Sequence, residues 1–170
     1  SLGEPDFNTP EFIKDAAIQA VKDNWNSYSP VDGYADLKES ICLKFKRDNG
    51  LNYKPSQVVV STGAKQSIAN VCMVLLNPGD EVLLPAPYWV SYSAIATLAE
   101  AKSVIIPSSI ETDFKITPDQ LENAITPKTK LVMFNSPNNP SGTIYTEAEY
   151  RALGKVLEKY PDIHILSDEI

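Results

Sequence analysis

From residue 58 onward the chain alternates short apolar runs with helix-period stretches, and this alternation constrains its fold more than any other feature. Strands are expected at 58–60, 81–84, 103–106, 131–134 and 163–166, where β-branched and other apolar residues cluster between turn-forming segments. Helices are expected between them: at 65–76, from Tyr88-Trp89, from the capping box Thr117-Pro118-Asp119-Gln120, and from Thr146-Glu147-Ala148-Glu149. Strands alternating with amphipathic helices imply an α/β fold, a mostly parallel sheet with helices on both faces.

Upstream the pattern is purely helical. Thr9 is expected to cap a first helix with Pro10 at its first helical position, and the thin apolar face of Ile13, Ala17 and Ala20 suits a surface helix. A second helix is expected at 35–48, with Leu37, Ile41 and Phe45 on one stripe and Asn49-Gly50 as a left-handed stop. The chain thus divides into a helical segment, 1–50, and the first part of a sheet domain, 51–170. It opens on Ser1 without a Met and stops directly after a predicted strand, which reads as part of a longer protein.

Composition excludes several function classes. A hydrophobic content of 43% with 22% charged residues suits a folded chain rather than a disordered one. The net charge of -7, with no basic stripe, argues against nucleic acid as a partner. The longest purely apolar run, 71–76, falls far short of the roughly 20 residues that cross a bilayer, so no membrane association is expected. Cys42 and Cys72 lie in helical apolar patterns, lack a CxxC spacing and have only His164 as a companion, so they are expected to be buried free thiols and no metal site is expected. Reduced thiols suit a cytoplasmic protein. His164, inside a predicted strand, reads as structural.

Parallel sheets collect ligands beyond the carboxyl ends of their strands, and the unusual segments of this chain fall there. Ser61-Thr62-Gly63-Ala64-Lys65-Gln66 turns from strand into helix, where free amides and the positive dipole end receive phosphate, although the same turn also serves as an ordinary connection. It is neither a Walker loop nor a Gly-x-Gly-x-x-Gly fingerprint. Trp89 offers either a stacking plane or a core aromatic. Asp168, after an apolar run, is either a helix cap or a partly desolvated carboxylate that wants a cationic partner such as a protonated pyridine nitrogen. Asn135-Ser136-Pro137-Asn138-Asn139-Pro140-Ser141-Gly142-Thr143 is a loop whose prolines fix φ, so that Asn139 can be held against a flat ligand and donate to a ring oxygen. Together these groups outline a phosphate anchor, a ring stack, a ring-oxygen donor and a ring-nitrogen partner, which is a pocket for pyridoxal 5'-phosphate.

The chain resembles the class I and II aminotransferases, the fold type I pyridoxal-phosphate enzymes, and within them the bacterial aspartate aminotransferase branch. The matching segments are Ser1-Leu2-Gly3-Glu4-Pro5-Asp6-Phe7, Tyr28-Ser29-Pro30 with Gly33, Thr62-Gly63-Ala64-Lys65-Gln66, Pro87-Tyr88-Trp89-Val90-Ser91-Tyr92, the loop 135–142, and Ser167-Asp168-Glu169-Ile170. They follow the family's order along the whole chain.

The resemblance implies a role for each matching residue. Gly3 would bind the substrate's α-carboxylate through its backbone, Trp89 would stack on the cofactor beside the substrate, and Asn139 would contact both the cofactor's phenolic oxygen and the substrate carboxylate. Asp168 would pair with the pyridine nitrogen, and Gly63, Ala64 and Lys65 would hold the phosphate. Tyr28 would reach the cofactor phosphate of a neighbouring subunit, implying a homodimer with shared active sites and making 1–50 a substrate- and dimer-contact segment. The implied activity is transamination between an amino acid, aspartate favoured, and a 2-oxo acid such as 2-oxoglutarate. The implied sheet domain is the large domain of the fold type. No residue matches the family's Schiff-base lysine, since Lys65 matches the phosphate turn, so the catalytic residue is expected outside these residues and the isolated segment is expected to be inactive. Other pyridoxal-phosphate chemistries on this fold, such as C-S lyase, decarboxylase or synthase activity, and an aminotransferase-like effector module of a transcriptional regulator, are the alternatives.

Overall fold

The computed structural model describes residues 6–169, and the chain forms two compact units, Ser1–Val60 and Ser61–Ile170. In the first unit, helix α1 (Glu11–Lys22) has Pro10 as its cap, so it starts one residue later than the sequence suggests. The proline carbonyl accepts from Ile13 and Lys14 N–H at 3.1 and 3.3 Å, so the chain starts the helix without the Thr9 hydroxyl. No residue of α1 is buried within the described residues. Helix α2 (Ala35–Asn49) ends at Gly50, whose φ of 68° is the expected left-handed stop. Around the connecting turn, Trp25 packs edge-on against Tyr34 with ring centroids 5.3 Å apart. Gly33 adopts φ +98°, and a Cβ there would lie 2.6 Å from the Val60 side chain, so both conformation and space require glycine.

Val58, Val59 and Val60 do not form the expected strand. Val58 has extended dihedrals, but Val60 N–H donates to the Asp32 carbonyl at 3.1 Å instead of entering a ladder. A strand exists only by pairing, and among the described residues this run has no strand neighbour.

The second unit is a four-stranded sheet in the order β2-β1-β3-β4, formed by β1 (Glu81–Pro85), β2 (Lys102–Ile106), β3 (Thr129–Asn135) and β4 (His164–Asp168). All three pairings are parallel. The central strands carry the continuous apolar runs: Val82, Leu83 and Leu84 are wholly buried, and Leu131 to Phe134 nearly so. Their side chains alternate between two cores. Val82, Leu84, Leu131 and Met133 pack with Ile68 and Cys72 of α3 (Ala64–Leu75) and Tyr92, Ile95 and Ala96 of α4 (Ser91–Leu98). Leu83, Val132 and Phe134 pack with Leu121 of α5 (Pro118–Ala124) and Leu153, Val156 and Leu157 of α6 (Glu147–Leu157). A one-residue slip of either central strand would exchange the two sets. Truncating Leu83 or Leu131 to Ala would cost about 2–5 kcal/mol.

Both anticipated capping boxes form. Gln120 N–H donates to Thr117 Oγ1 at 3.3 Å and Glu149 N–H to Thr146 Oγ1 at 3.3 Å, with the reciprocal bonds also made. Helix α4 begins at Ser91 rather than at Tyr88-Trp89, because the two aromatics complete the turn after β1 and Trp89 offers its carbonyl to Tyr92 N–H at 3.0 Å. Cys72 is buried and its thiol is pushed up by that burial, whereas Cys42 is only half-buried, contrary to expectation: none of α2's residues is fully enclosed. Exposed His164 opens β4 at the end opposite Asp168. Among the described residues no helix is long and apolar enough to cross a membrane, and no group of three metal-ligating side chains occurs.

Candidate functional site

The connections after β1 and β3 diverge. The chain leaving β1 enters α4 on one face, the chain leaving β3 enters α6 on the other, and the strand order reverses between them. Such a reversal opens a crevice at the carboxyl ends of the two strands. Here a small crevice is lined by Pro87, Tyr88 and Tyr92 after β1 and by Asn135 and Asn138 at the end of β3.

Asn135, the last residue of β3, is buried and stands in register with Asp168, the last residue of β4. Its amide nitrogen donates to the Asp168 carbonyl at 2.8 Å and its amide oxygen accepts from Asn139 N–H at 2.7 Å. The loop beyond is fastened a second time by Asn138. That side chain donates to the Pro87 carbonyl at 3.1 Å and accepts from Ser141 N–H and Oγ at 3.1 and 2.8 Å. Gly142 closes the turn with its N–H on the Asn138 carbonyl at 2.7 Å. Loop rigidity thus comes from two asparagines as well as from the prolines. The Asn139 side chain is left exposed, without a hydrogen bond among the described residues.

Asp168 is half-buried. Its Oδ2 accepts from the Tyr92 hydroxyl at 2.6 Å, and its Oδ1 accepts no hydrogen bond among the described residues. Tyr92 is 1% exposed, and burial, reinforced by the carboxylate beside it, pushes its phenol far up. The Tyr92 ring meets Trp89 edge-on with centroids 5.6 Å apart. Lys65 in turn holds its ammonium 4.8 Å from the centre of the indole.

Gly63 caps α3 with φ 87° and ψ 158°, a conformation that L side chains avoid. The turn uses its first amides internally: Gly63 N–H donates to Ser61 O at 2.9 Å and Thr62 N–H to Gln66 Oε1 at 2.5 Å. Ala64 and Lys65 N–H keep no acceptor among the described residues, and with the positive end of α3 they make this corner receptive to an anion.

Of the residues singled out in the sequence, Lys65, Trp89, Asp168 and Asn139 are therefore joined through Tyr92 and Asn135 into one run of contacts, with Gly63 and Ala64 adjoining Lys65. Tyr28 belongs to the first unit, where its ring is fully exposed. Gly3 lies outside the described residues. Nothing in the local sequence gives Tyr92, Asn135 or Asn138 a role, although all three fall inside the family-matching segments 87–92 and 135–142. What makes them matter is their tertiary partners.

Comparison with known proteins agrees with this architecture. The family model for aminotransferase class I and II matches residues 1–170. The aspartate/prephenate aminotransferase of Nitrosomonas europaea is 54% identical over 168 residues, covering 99% of this chain and 42% of that protein. The aspartate aminotransferase of Bacillus subtilis is 51% identical over the same shares. Among solved structures, the Rhizobium meliloti aspartate aminotransferase superposes with a TM-score of 0.96 at 46% identity, covering 99% of this chain and 42% of that one. The chain thus spans about 42% of the length of the curated relatives it matches. With a match along its full length, in sequence and in fold, the chain belongs to the class I and II aminotransferases.

Proposed function

We propose that this chain forms the non-covalent wall of a pyridoxal-phosphate pocket in a longer, homodimeric aminotransferase that exchanges the amino group of aspartate with a 2-oxo acid such as 2-oxoglutarate. The observation that carries the reading is the continuous run Lys65–Trp89–Tyr92–Asp168–Asn135–Asn139 at the carboxyl edge of the sheet.

The donor set fits the cofactor part by part. The free Ala64 and Lys65 amides suit a phosphate at the α3 terminus. Trp89 offers its indole to an aromatic ring. Asp168 keeps Oδ1 open to accept from a pyridinium N–H, and a half-buried carboxylate beside that nitrogen keeps the proton in place. Asn139, pinned through its backbone, has its side-chain amide free to donate to the ring hydroxyl oxygen. Bound there, pyridoxal phosphate would supply the electron sink that acidifies the substrate's Cα–H bond. The chain's own share is to orient the ring, hold its nitrogen proton and fix its oxygen. Gly3 would receive the substrate's α-carboxylate, and Tyr28 would serve the phosphate of the partner subunit. No residue here takes the Schiff-base role, so the 170 residues alone would not transaminate.

The test is product stoichiometry with the full-length protein. Aspartate and 2-oxoglutarate should give oxaloacetate and glutamate in equal amounts, dependent on pyridoxal phosphate. Release of ammonia or a thiol in place of that exchange would overturn the transaminase assignment.

A further inference from the structure

We propose that Tyr92 is a positioning residue that assigns the two oxygens of Asp168, locking Oδ2 so that Oδ1 alone faces the ring nitrogen of the cofactor. The inference rests on the pyridoxal-phosphate reading above. Its basis is a contact between residues 76 apart in sequence: the Tyr92 hydroxyl lies 2.6 Å from Asp168 Oδ2.

Three features make this contact a fixture. The tyrosine is 1% exposed and sits in the core cluster with Ile68, Cys72, Leu84 and Met133, so its ring has no room to swing away. Its backbone N–H is tied to the Trp89 carbonyl at 3.0 Å, and its ring abuts the Trp89 indole edge-on at 5.6 Å. Its phenol is pushed upward first by burial and then by Asp168 itself, so it remains a donor across the working pH range. Asp168 is meanwhile held from the main-chain side, where its carbonyl accepts from Asn135 at 2.8 Å. A carboxylate held by its own carbonyl and by one oxygen cannot rotate about its terminal bond without breaking a charge-assisted hydrogen bond. The same tyrosine ring touches the indole proposed to stack on the cofactor. Tyr92 therefore sets the position of the nitrogen acceptor relative to the stacking plane.

The test is cofactor binding to the full-length protein and its Tyr92→Phe variant, which keeps the ring and removes only the hydroxyl. Two probes are used: pyridoxal phosphate, and its carbocyclic analogue with C–H in place of the ring nitrogen. Loss of a hydrogen bond to a charged group should weaken pyridoxal phosphate by about 10-fold. The analogue has no nitrogen to place, so its affinity should change by less than about twofold. Unchanged analogue binding also shows that the variant is folded. In spectrophotometric titration, the bound cofactor of the variant should lose its ring-nitrogen proton at lower pH than that of the unmodified protein.

An equal loss for both compounds would make Tyr92 a packing residue only and overturn the inference, as would no loss for either. Failure of the unmodified protein to bind pyridoxal phosphate would overturn the cofactor reading itself, and this inference with it.

Discussion

Two carboxylates stand at opposite ends of the same sheet and are treated in opposite ways. Glu81, at the amino end of β1, is 6% exposed and fully engaged: Thr126 Oγ1 donates to Oε2 at 2.6 Å and Lys102 Nζ approaches Oε1 at 3.5 Å. The Thr126 bond, ahead of the weaker pull of Lys102, holds its carboxyl below the ordinary glutamate range. Asp168, at the carboxyl end of β4, has one oxygen engaged by Tyr92 and the other without a bond among the described residues. The first is a closed structural group. The second is half-closed, the arrangement expected of a group kept for a ligand.

Exchanging acid for amide at Asp168 is the severest test of that contrast. Asp168→Asn keeps an oxygen for Tyr92 but removes the charge proposed to face the ring nitrogen. We expect turnover of the full-length protein to fall by at least about 100-fold. The melting temperature should change little, since the Tyr92 bond survives in neutral form. Steady-state kinetics beside thermal unfolding checks both halves, and an unfolding shift that accounts for the lost activity would erase the distinction between the two ends.

Glu81→Ala should do the reverse. Removing the acceptor leaves Thr126 without its strongest partner and should cost about 2 kcal/mol of stability, with turnover of the folded protein unchanged. Its pH dependence has a definite sign. The folded carboxyl titrates below the ordinary value of 4.5, so its contribution is complete above that value and is lost as pH falls through the folded one. Denaturant unfolding of the two proteins at a series of pH values should show their gap closing on the acid side. A constant gap down to strongly acid pH would mean that Glu81 contributes through packing alone.

How legible these features were depends on whether their causes are local. The runs at 81–84 and 131–134 announced the central strands because burial on both faces demands continuous apolar sequence. Thr117–Gln120 and Thr146–Glu149 announced their helix starts because a capping box is complete within four residues. Gly50 did the same for a helix end. Val58 to Val60 misled because strand formation depends on a neighbour, which no local pattern encodes. The α4 start misled because Tyr88 and Trp89 are spent in the turn after β1. In the candidate site, the groups proposed to meet the ligand, Asn139 and Asp168, could be marked from residue chemistry and from the family's segments. Their supports could not: Tyr92 acts across 76 residues and Asn138 reaches Pro87 across 51, contacts that exist only after folding.

The smallest expected effects separate the two neighbours of Glu81 and so define what closes the amino end. Lys102 is the formal counter-ion, but its side chain is 71% exposed and its nitrogen stands 3.5 Å away. An exposed ammonium at that distance is solvated and screened, so Lys102→Met should shift stability by less than about 0.5 kcal/mol. Thr126 carries no charge, yet its hydroxyl donates at 2.6 Å and also accepts from Lys128 N–H at 3.1 Å, which ties the turn before β3 to the carboxylate. Thr126→Val keeps the shape and loses both bonds, so it should cost about 1 kcal/mol, more than loss of the lysine. Paired unfolding measurements at neutral pH, repeated at high salt, decide the order: salt should diminish the small lysine effect and leave the threonine effect intact. If Lys102→Met proved the larger loss, the carboxylate at the amino end would be held by an ion pair open to solvent. The contrast with Asp168 would then lie in the charge of the partner rather than in how completely the oxygens are bound.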